Sequence, residues 1–504
     1  MKFIKKNKKY ILLVAIIIVV YFLTRLVAIN SLPIFTDEAI YLRWSQIALH
    51  DANWRFISLT DGKQPLFIWF VMLAMKYIED PLIAGRVVSV IAGFFTLIGL
   101  YFLGSEVFSN KKIGLLSSSL YLLYPFALVY DRMALYDSLV GTFAVWALFG
   151  AIKLVRNQRF DTAMLLGFVT GGAVLNKTSG FLALYLLPFL LVLMPVKEIK
   201  NVKRVARFIL MCAVVAVITY GCYAILRLSP FFYIIEQKNA LFVYPFHEWI
   251  KHPFTFFIPN IRALFDWYLH YVGLPMSLLV LGSFLVSKSY FREKILLFLW
   301  FFLPFLALAL TGKTLYPRYI FFMTLFLLPL CAYTLIFLYE KLSRKAYYSV
   351  GFLAIIYWVI SSGMVITQFQ NAPIPKSDIQ QYLTSWTSGE GVSEAIKFFR
   401  ERSKDNKIFV GTQGTFGLMP YALELYLVDD PQIEMKSYWP VDNVFLRDIQ
   451  KKTLEKESYV LFYEGCPSCP SNGIAPTDWP LEKVFQLKKI EPYTYLTIYK
   501  VIPQ

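Results

Sequence analysis

A series of long apolar segments constrains the fold of this chain more than any other feature of its sequence. A helix needs about 20 predominantly apolar residues to cross the hydrocarbon core of a bilayer. Only 16% of the residues are charged and 57% are hydrophobic, whereas about a quarter of the residues in soluble domains are charged. The sequence therefore predicts an all-α polytopic membrane protein with about 11 transmembrane helices, and it excludes a soluble multidomain enzyme, a disordered chain and a fibrous repeat. The predicted spans lie near residues 10–29, 82–103, 113–129, 136–154, 161–175, 179–196, 206–227, 267–286, 294–311, 317–339 and 347–368.

The basic residues are concentrated in the loops between these spans. The formal net charge is +17, to which the residues from Lys376 onward contribute −2 and the first 375 residues contribute +19. If the N-terminus lies inside and the spans alternate, every inside loop is short and basic, as the positive-inside rule describes for cytoplasmic loops. Membrane topology thus explains the charge without a nucleic-acid partner. We expect the lipid bilayer as a partner, a cytoplasmic N-terminus and an extracytoplasmic C-terminus in a protein of the cell membrane.

The outside segments are longer, and they are aromatic and acidic. The two largest cover residues 30–80 and 228–266, and residues 66–77 are a candidate for a further short or re-entrant segment. Residues 376–504 have a soluble composition, in which GVSEAIKFFRERS has the spacing of an amphipathic helix, while NKIFVGT, SYVLFYE and TYLTIYKV are typical of strands. The sequence predicts a membrane domain over residues 1–370 and a small extracytoplasmic α/β domain over residues 376–504.

Five cysteines are too few for a disulfide scaffold. Cys466 and Cys469 form a C-P-S-C sequence in the polar tail, where a small disulfide loop and two free thiols are both compatible with the pattern. Half of a zinc site would need a second pair, which the sequence lacks.

Asp37 and Glu38 form a pair of carboxylates at the point where the chain leaves the first predicted span. Ionisable residues at such a place are costly unless they are paired or functional. A carboxylate there serves as a general base or as a ligand for a divalent cation. The alternative is structural, because acidic residues also stabilise the first turn of a helix.

Cations recur at the other outside turns. Lys63 precedes an apolar run, Lys177 follows the fifth span, and Lys313 and Arg318 flank the start of the tenth. Each could simply extend its side chain to the interface, but together they are typical of a site for a phosphate or pyrophosphate headgroup.

The short turn VYDRMALYDSL places Asp131, Arg132 and Asp137 in an otherwise apolar region. Two interpretations remain open for this cluster. Arg132 and Asp137 could form a structural ion pair, or Asp137 could face the same cavity as Asp37 while Arg132 contacts an anion.

These residues resemble the motifs of the GT-C superfamily of membrane glycosyltransferases, and within it the group of protein O-mannosyltransferases and lipid A aminoarabinose transferases. The resemblance covers roughly residues 1–370. The motifs that carry it are Asp37-Glu38 followed by A-I-Y, G-K-x-P-L at Gly62–Leu66, R-M-A-L-Y-D at Arg132–Asp137, Asn176-Lys177, and P-R-Y at Pro317–Tyr319.

The resemblance implies transfer of a sugar, with inversion, from a polyprenyl-phosphate donor to a hydroxyl acceptor on a protein, glycan or lipid. It implies that Asp37 is the general base, that Asp137 positions the acceptor or the sugar, and that Glu38 orients Asp37 or binds a metal. The donor phosphate is expected to be held by cations, namely Lys63, Arg132 and Arg318, with Lys177 and Lys313 at the neighbouring turns.

A divalent metal is optional in this interpretation, and its candidate ligands are Glu38 and His247. His247 has a second interpretation, as part of an aromatic helix that lies in the membrane interface. A transporter or flippase of a lipid-linked or anionic solute is the main alternative function, and it predicts charges at mid-membrane and inverted repeats. A phosphotransferase or lipid ligase would use the same cations.

Overall fold

The computed structural model describes residues 2–465, 475–476 and 478–504, with side chains from Tyr10 onward. The chain divides into two compact units. The first consists of Met1–Ile29, Ala52–Phe70 and Arg86–Pro375, and the second consists of Asn30–Asp51, Val71–Gly85 and Lys376–Gln504. The second unit therefore contains the C-terminal residues predicted to be a soluble domain together with parts of the predicted loop over residues 30–80.

Helices dominate the chain up to residue 375. In chain order they are α1 (Lys2–Leu26), α2 (Thr36–His50), α3 (Leu66–Ala74), α4 (Pro81–Val107), α5 (Lys111–Leu123), α6 (Pro125–Tyr130), α7 (Asp137–Asn157), α8 (Phe160–Asn176), α9 (Phe181–Tyr185), α10 (Val196–Ile199), α11 (Val202–Ala224), α12 (Ile234–Phe242), α13 (Phe246–Trp249), α14 (Phe257–Leu285), α15 (Phe291–Thr311), α16 (Phe321–Thr324), α17 (Leu328–Lys341) and α18 (Arg344–Thr367). The prediction of a polytopic, all-α membrane domain is confirmed.

Among the described residues, seven helical segments are long and apolar enough to cross a bilayer. They are Pro81–Val107, Asp137–Asn157, Val202–Leu228, Phe257–Leu285, Phe291–Thr311, Pro317–Lys341 and Arg344–Thr367. The other four predicted spans correspond to apolar helices that are shorter within the residues whose side chains are described. Three of these are Tyr10–Leu26, which belongs to the 25-residue helix α1, Phe160–Asn176 and Thr178–Leu193, and the fourth is divided into α5 and α6.

The division between α5 and α6 has a local cause. Pro125 begins α6, and Tyr124 before it adopts extended backbone angles (φ −75°, ψ 115°), because the proline ring disfavours helical angles in the preceding residue. The re-entrant candidate at residues 66–77 forms the nine-residue helix α3, which is too short to span a bilayer. Phe67, Ile68 and Val71 of this helix are fully buried.

The C-terminal part of the second unit is a five-stranded sheet flanked by helices, as predicted. The sheet order is β2-β1-β3-β5-β4; β1 runs parallel to β2 and β3, and β5 runs antiparallel to β3 and β4. The strands are β1 (Ile408–Gln413), β2 (Ile433–Tyr438), β3 (Glu457–Glu464), β4 (Leu481–Lys488) and β5 (Tyr495–Val501), and the helices are α19 (Lys376–Ile379), α20 (Val392–Arg402), α21 (Leu418–Leu427) and α22 (Asn443–Thr453). Cys466 and Cys469 lie outside the described residues.

Helix α2, which carries Asp37 and Glu38, belongs to this second unit. The residue before it, Phe35, forms an antiparallel bridge with Ser388, and the Thr36 amide donates a 3.0 Å hydrogen bond to the Thr387 carbonyl. Farther along α2, Arg43 forms a 2.9 Å ion pair with Glu424 of α21. Contacts across more than 350 residues of sequence therefore fix the start of α2.

Candidate active site

The first unit contains an open cavity of about 1420 Å³ that is lined by charged and aromatic side chains. Its charged lining residues are Lys63, Asp137, Lys177, Lys238 and Arg318. Phe181, Phe242, Tyr319 and Phe322 supply much of the apolar wall. The cavity thus combines cations with apolar surface, as a site for an amphipathic anion requires.

The turn before α3 presents Lys63 to this cavity. Gly62 has a φ of +67°, which L side chains rarely adopt. A Cβ atom at Gly62 would lie 2.6 Å from the Cβ of Lys238 and 2.7 Å from the Ile234 carbonyl oxygen, so helix α12 contacts the backbone of the turn directly. The Lys63 ammonium lies 5.4 Å from the ring centroid of Phe242, also on α12.

Gln64 fixes the other side of the turn. Its side chain is buried, and its Nε2 donates a 2.6 Å hydrogen bond to the hydroxyl of Thr178. The hydroxyl of Tyr136, the residue before α7, donates a 2.8 Å hydrogen bond to the Gln64 carbonyl. The turn is therefore attached to the segments that carry Asp137 and Lys177.

Asp137 is the first residue of α7, where a carboxylate interacts favourably with the helix dipole. The Lys177 ammonium donates a 2.9 Å hydrogen bond to Asp137 Oδ1 and lies 5.0 Å from the ring centroid of Tyr319. Asp137 is almost fully buried, whereas Lys177 is about a third exposed. The pair thus places a carboxylate and a cation side by side in the cavity wall.

Arg132 occupies a different environment. Its guanidinium is buried and donates hydrogen bonds of 2.9, 2.9 and 2.6 Å to the carbonyls of Thr24, Val27 and Ala28. These carbonyls belong to the C-terminal end of α1 and the turn after it, where helical carbonyls have no partner within the helix. Arg132 is not among the residues that line the cavity.

The neighbouring Asp131 is fully buried in a polar cluster. Its carboxylate accepts hydrogen bonds from the hydroxyls of Tyr121 at 2.9 Å, Ser138 at 3.0 Å and Tyr21 at 3.3 Å, and it lies 3.5 Å from the guanidinium of Arg25. The cluster joins α1, α5 and the first turn of α7.

Lys313 and Arg318, the two predicted cations after α15, differ in their position relative to the cavity. Arg318 is largely buried, lines the cavity and has its guanidinium 5.1 Å from the ring centroid of Tyr316. Lys313 does not line the cavity; its ammonium lies 5.3 Å from the ring centroid of Tyr244.

Asp37 and Glu38 lie in the first turn of α2 in the second unit. Glu38 is fully buried, and its Oε2 accepts a 3.0 Å hydrogen bond from the Phe35 amide. The structural interpretation, in which an acidic residue caps the helix, therefore holds for Glu38. Asp37 is half-buried.

Residues 62–223, about a third of the chain, match the protein family described as Dolichyl-phosphate-mannose-protein mannosyltransferase. The matched segment includes Lys63, Asp137 and Lys177. No curated protein matches the chain by sequence.

The fold is similar to several solved structures. ArnT from Cupriavidus metallidurans in the apo state is 13% identical with a TM-score of 0.62, and the match covers 99% of this chain and 100% of that chain. ArnT bound to undecaprenyl phosphate matches with a TM-score of 0.57 at the same identity and coverage. An oligosaccharyltransferase of Archaeoglobus fulgidus in complex with zinc and sulfate is also 13% identical, with a TM-score of 0.56 over 89% of this chain and 67% of that one.

This chain has an ArnT-like fold. The resemblance inferred from the sequence motifs is thereby confirmed.

Lys238 is the charged lining residue of this cavity that the sequence analysis missed. It lies in the aromatic loop over residues 228–266, where no motif distinguishes it, and its ammonium donates a 2.6 Å hydrogen bond to Asp61 Oδ1. The only signal in the sequence was Asp61, an acidic residue directly before the G-K-x-P-L motif. A carboxylate at such a position is favoured by a nearby cation.

The candidate metal ligands are Glu38, in the second unit, and His247, in the first, and both lie in the part of the chain that the structure describes. No group of three or more His, Cys, Asp or Glu side chains there could hold a metal ion. His247 is exposed on the short helix α13, and one oxygen of Glu38 is engaged by the Phe35 amide. We assign no chemical step to a metal ion.

Proposed function

We propose that this protein is a glycosyltransferase that moves a sugar from a polyprenyl-phosphate donor to a hydroxyl acceptor. The observation that carries this proposal is the cavity in which Lys63, Lys177, Lys238 and Arg318 surround apolar and aromatic surface. Cations neutralise phosphoryl oxygens, and the apolar wall suits an isoprenoid chain. The family match over residues 62–223 and the similarity to ArnT bound to undecaprenyl phosphate support the same donor class.

In the proposed reaction, the acceptor oxygen forms a bond to the anomeric carbon and the bond from that carbon to the phosphate oxygen breaks. The bonding electrons remain on the phosphate, which leaves as a polyprenyl phosphate. A single displacement of this kind inverts the configuration of the anomeric carbon. The cations of the cavity stabilise the charge that develops on the leaving group, which is the kind of contribution that electrostatic preorganisation makes in enzymes.

A hydroxyl group is a weak nucleophile at neutral pH and benefits from a general base. We propose that the carboxylate of Asp37 accepts the proton of the acceptor hydroxyl. Asp137, held by Lys177 in the cavity wall, would position the sugar or the acceptor. Lys63 and Arg318, which line the cavity, would contact the donor phosphate. Arg132 and Lys313 do not line it; the family resemblance suggests the phosphate role for them, and donor binding by Arg132→Met would distinguish that role from the capping of α1.

The proposed orientation follows from the distribution of charge in the sequence. The short basic loops would face the cytoplasm, so the N-terminus would be cytoplasmic, and the active site and residues 376–504 would be extracytoplasmic. The acceptor is left open between protein, glycan and lipid.

The test is sugar transfer by the purified protein in proteoliposomes. Polyprenyl-phosphate sugars would be supplied with protein, glycan and lipid acceptors, and the wild type would be compared with Asp37→Asn and with Asp51→Asn, a conservative control in the same outside segment. We expect transfer by the wild type and by Asp51→Asn, and loss of transfer in a folded Asp37→Asn protein.

Each other outcome has a defined meaning. Transfer that survives Asp37→Asn would remove Asp37 from the role of base and leave the glycosyltransferase proposal standing. Absence of transfer with every donor, together with movement of an anionic solute across the vesicle, would replace the enzyme by the transporter or flippase.

A further inference from the structure

Helix α12 contacts the Lys63 turn at three points. Lys238 and Ile234 fill the space beside Gly62, and the ring of Phe242 lies below the Lys63 ammonium. The third contact is the hydrogen-bonded ion pair between Lys238 and Asp61, the residue that precedes Gly62. Helix α12 therefore belongs to the same local structure as the residue that the proposed function places on the donor phosphate.

The Lys238–Asp61 pair is accessible to a ligand. Lys238 is 22% exposed and Asp61 is 23% exposed, and Lys238 lines the cavity whereas Asp61 does not. An ammonium group has three donor protons, so the 2.6 Å contact with Asp61 occupies one and leaves capacity for an anion in the cavity. Asp61 also reduces the freedom of a long side chain, which lowers the entropic cost of binding a ligand in that geometry.

The charges of this site are better matched to the product than to the donor. Lys63, Lys177, Lys238 and Arg318 set against Asp61 and Asp137 give a formal net charge of +2. A phosphodiester donor carries one negative charge. The departing phosphate monoester carries nearly two at neutral pH, because its second pKa is about 6. Interactions that strengthen as this charge develops accelerate the reaction, whereas those that bind both states equally do not.

We propose that Lys238 is a further ligand of the donor phosphate, that Asp61 holds its ammonium in position, and that its contact strengthens when the bond from sugar to phosphate breaks. The inference rests on the proposed function and extends it to a residue outside the sequence motifs. It predicts that the site prefers a phosphate monoester with a long isoprenoid chain to the corresponding phosphodiester.

The experiment measures binding of undecaprenyl phosphate to the purified protein in phosphatidylcholine nanodiscs, by native mass spectrometry. The variants are Lys238→Met, Lys238→Arg and Asp61→Asn, with Lys251→Met as the control because Lys251 is exposed in the same loop. We expect Lys238→Met to weaken binding by about tenfold or more, Lys238→Arg to restore most of the affinity, and Lys251→Met to bind like the wild type.

The Asp61→Asn variant shows whether Lys238 contacts the phosphate or only stabilises the turn. If Lys238 contacts the phosphate, Asp61→Asn keeps that cation and binds undecaprenyl phosphate better than Lys238→Met does. Equal losses in the two variants would mean that the ion pair only stabilises the turn, and this result would overturn the inference.

A second readout is the kinetics of transfer. Lys238→Met should lower kcat by a larger factor than it raises KM for the donor, because the contact strengthens as the charge develops. Wild-type protein that binds no undecaprenyl phosphate would refute the proposed function itself. Wild-type protein that binds it with the same affinity as Lys238→Met would refute only the role of Lys238.

Discussion

Substitution of Gly62 by alanine tests whether helix α12 and the Lys63 turn act together. The backbone at Gly62 has a φ of +67°, and a left-handed conformation costs an L residue about 1–2 kcal/mol. The added Cβ would also lie 2.6 Å from Lys238 Cβ and 2.7 Å from the Ile234 carbonyl oxygen. Overpacking of this kind costs about 1–3 kcal/mol, so the turn would carry about 2–5 kcal/mol of strain.

The two nearest atoms to a Cβ at Gly62 are the Cβ of Lys238 and the carbonyl oxygen of Ile234. Neither atom can move away by rotation of a side chain, because both positions are fixed by the backbone of α12. We therefore expect the strain to be relieved by movement of α12 away from the turn, which separates Lys63 from Phe242 and displaces Lys238. Under the proposed function, Gly62→Ala should raise KM for a polyprenyl-phosphate donor by at least about tenfold and lower the Tm by a few degrees. The assays are transfer kinetics in proteoliposomes and thermal unfolding followed by tryptophan fluorescence.

Gly221→Ala is the matched control. Gly221 lies inside α11, and apart from its chain neighbours and the adjacent backbone of its own helix no atom lies within 4 Å of a Cβ placed there. Alanine is favoured over glycine in a helix by up to about 1 kcal/mol, so this variant should keep the kinetics and the Tm of the wild type or unfold slightly later. If Gly62→Ala behaved like Gly221→Ala in both assays, the close approach of α12 would not govern the Lys63 turn.

Three further predictions use other parts of the structure. Arg132→Met removes the hydrogen-bond donor from three carbonyls at the end of α1, so it should destabilise the protein by about 2–5 kcal/mol and lower its Tm, while undecaprenyl phosphate still binds. Loss of binding in a protein with a normal Tm would instead place Arg132 at the phosphate. Asp137→Asn removes the charged partner of Lys177, and steady-state kinetics should show kcat lowered about tenfold or more with little effect on donor binding. An unchanged kcat would mean that Asp137 takes no part in the reaction. Burial lowers the pKa of Lys489 from 10.5 to about 8, so as the pH rises the folded protein loses this proton at a lower pH than the unfolded chain does. The free energy of unfolding of the second unit should therefore increase between pH 8 and pH 10.5, by at most about 3 kcal/mol. Comparison of Tm with Lys489→Met at pH 7.5 and pH 9.5 isolates this contribution, and equal pH dependence in the two proteins would contradict it.

Most elements of secondary structure could be predicted from the sequence because their signals are local. Apolar length and loop charge predicted the membrane helices, and the spacing within GVSEAIKFFRERS predicted α20. The predicted bounds of two spans were less accurate. Pro125 divides one predicted span into α5 and α6, and α14 begins at Phe257, ten residues before the predicted start.

The motifs identified individual residues of the candidate site, but they did not determine their partners. Asp137 could have paired with Arg132, five residues away, and instead its carboxylate contacts Lys177, 40 residues along the chain. Lys238 was missed because its partner Asp61 is 177 residues away. Pairings of this kind depend on how helices pack, which no short window of sequence contains.

The sequence by itself determined that this chain enters a membrane as a set of helices, and which end of it forms a small α/β domain. Both properties depend on the transfer of local segments between water and hydrocarbon, a free energy set by composition within about 20 residues. The tertiary structure alone decided which cations share the cavity, that Arg132 caps α1, and that α2 with Asp37 joins the unit containing residues 376–504. Those outcomes depend on contacts between distant segments, where close packing and the need to satisfy buried polar groups select one arrangement.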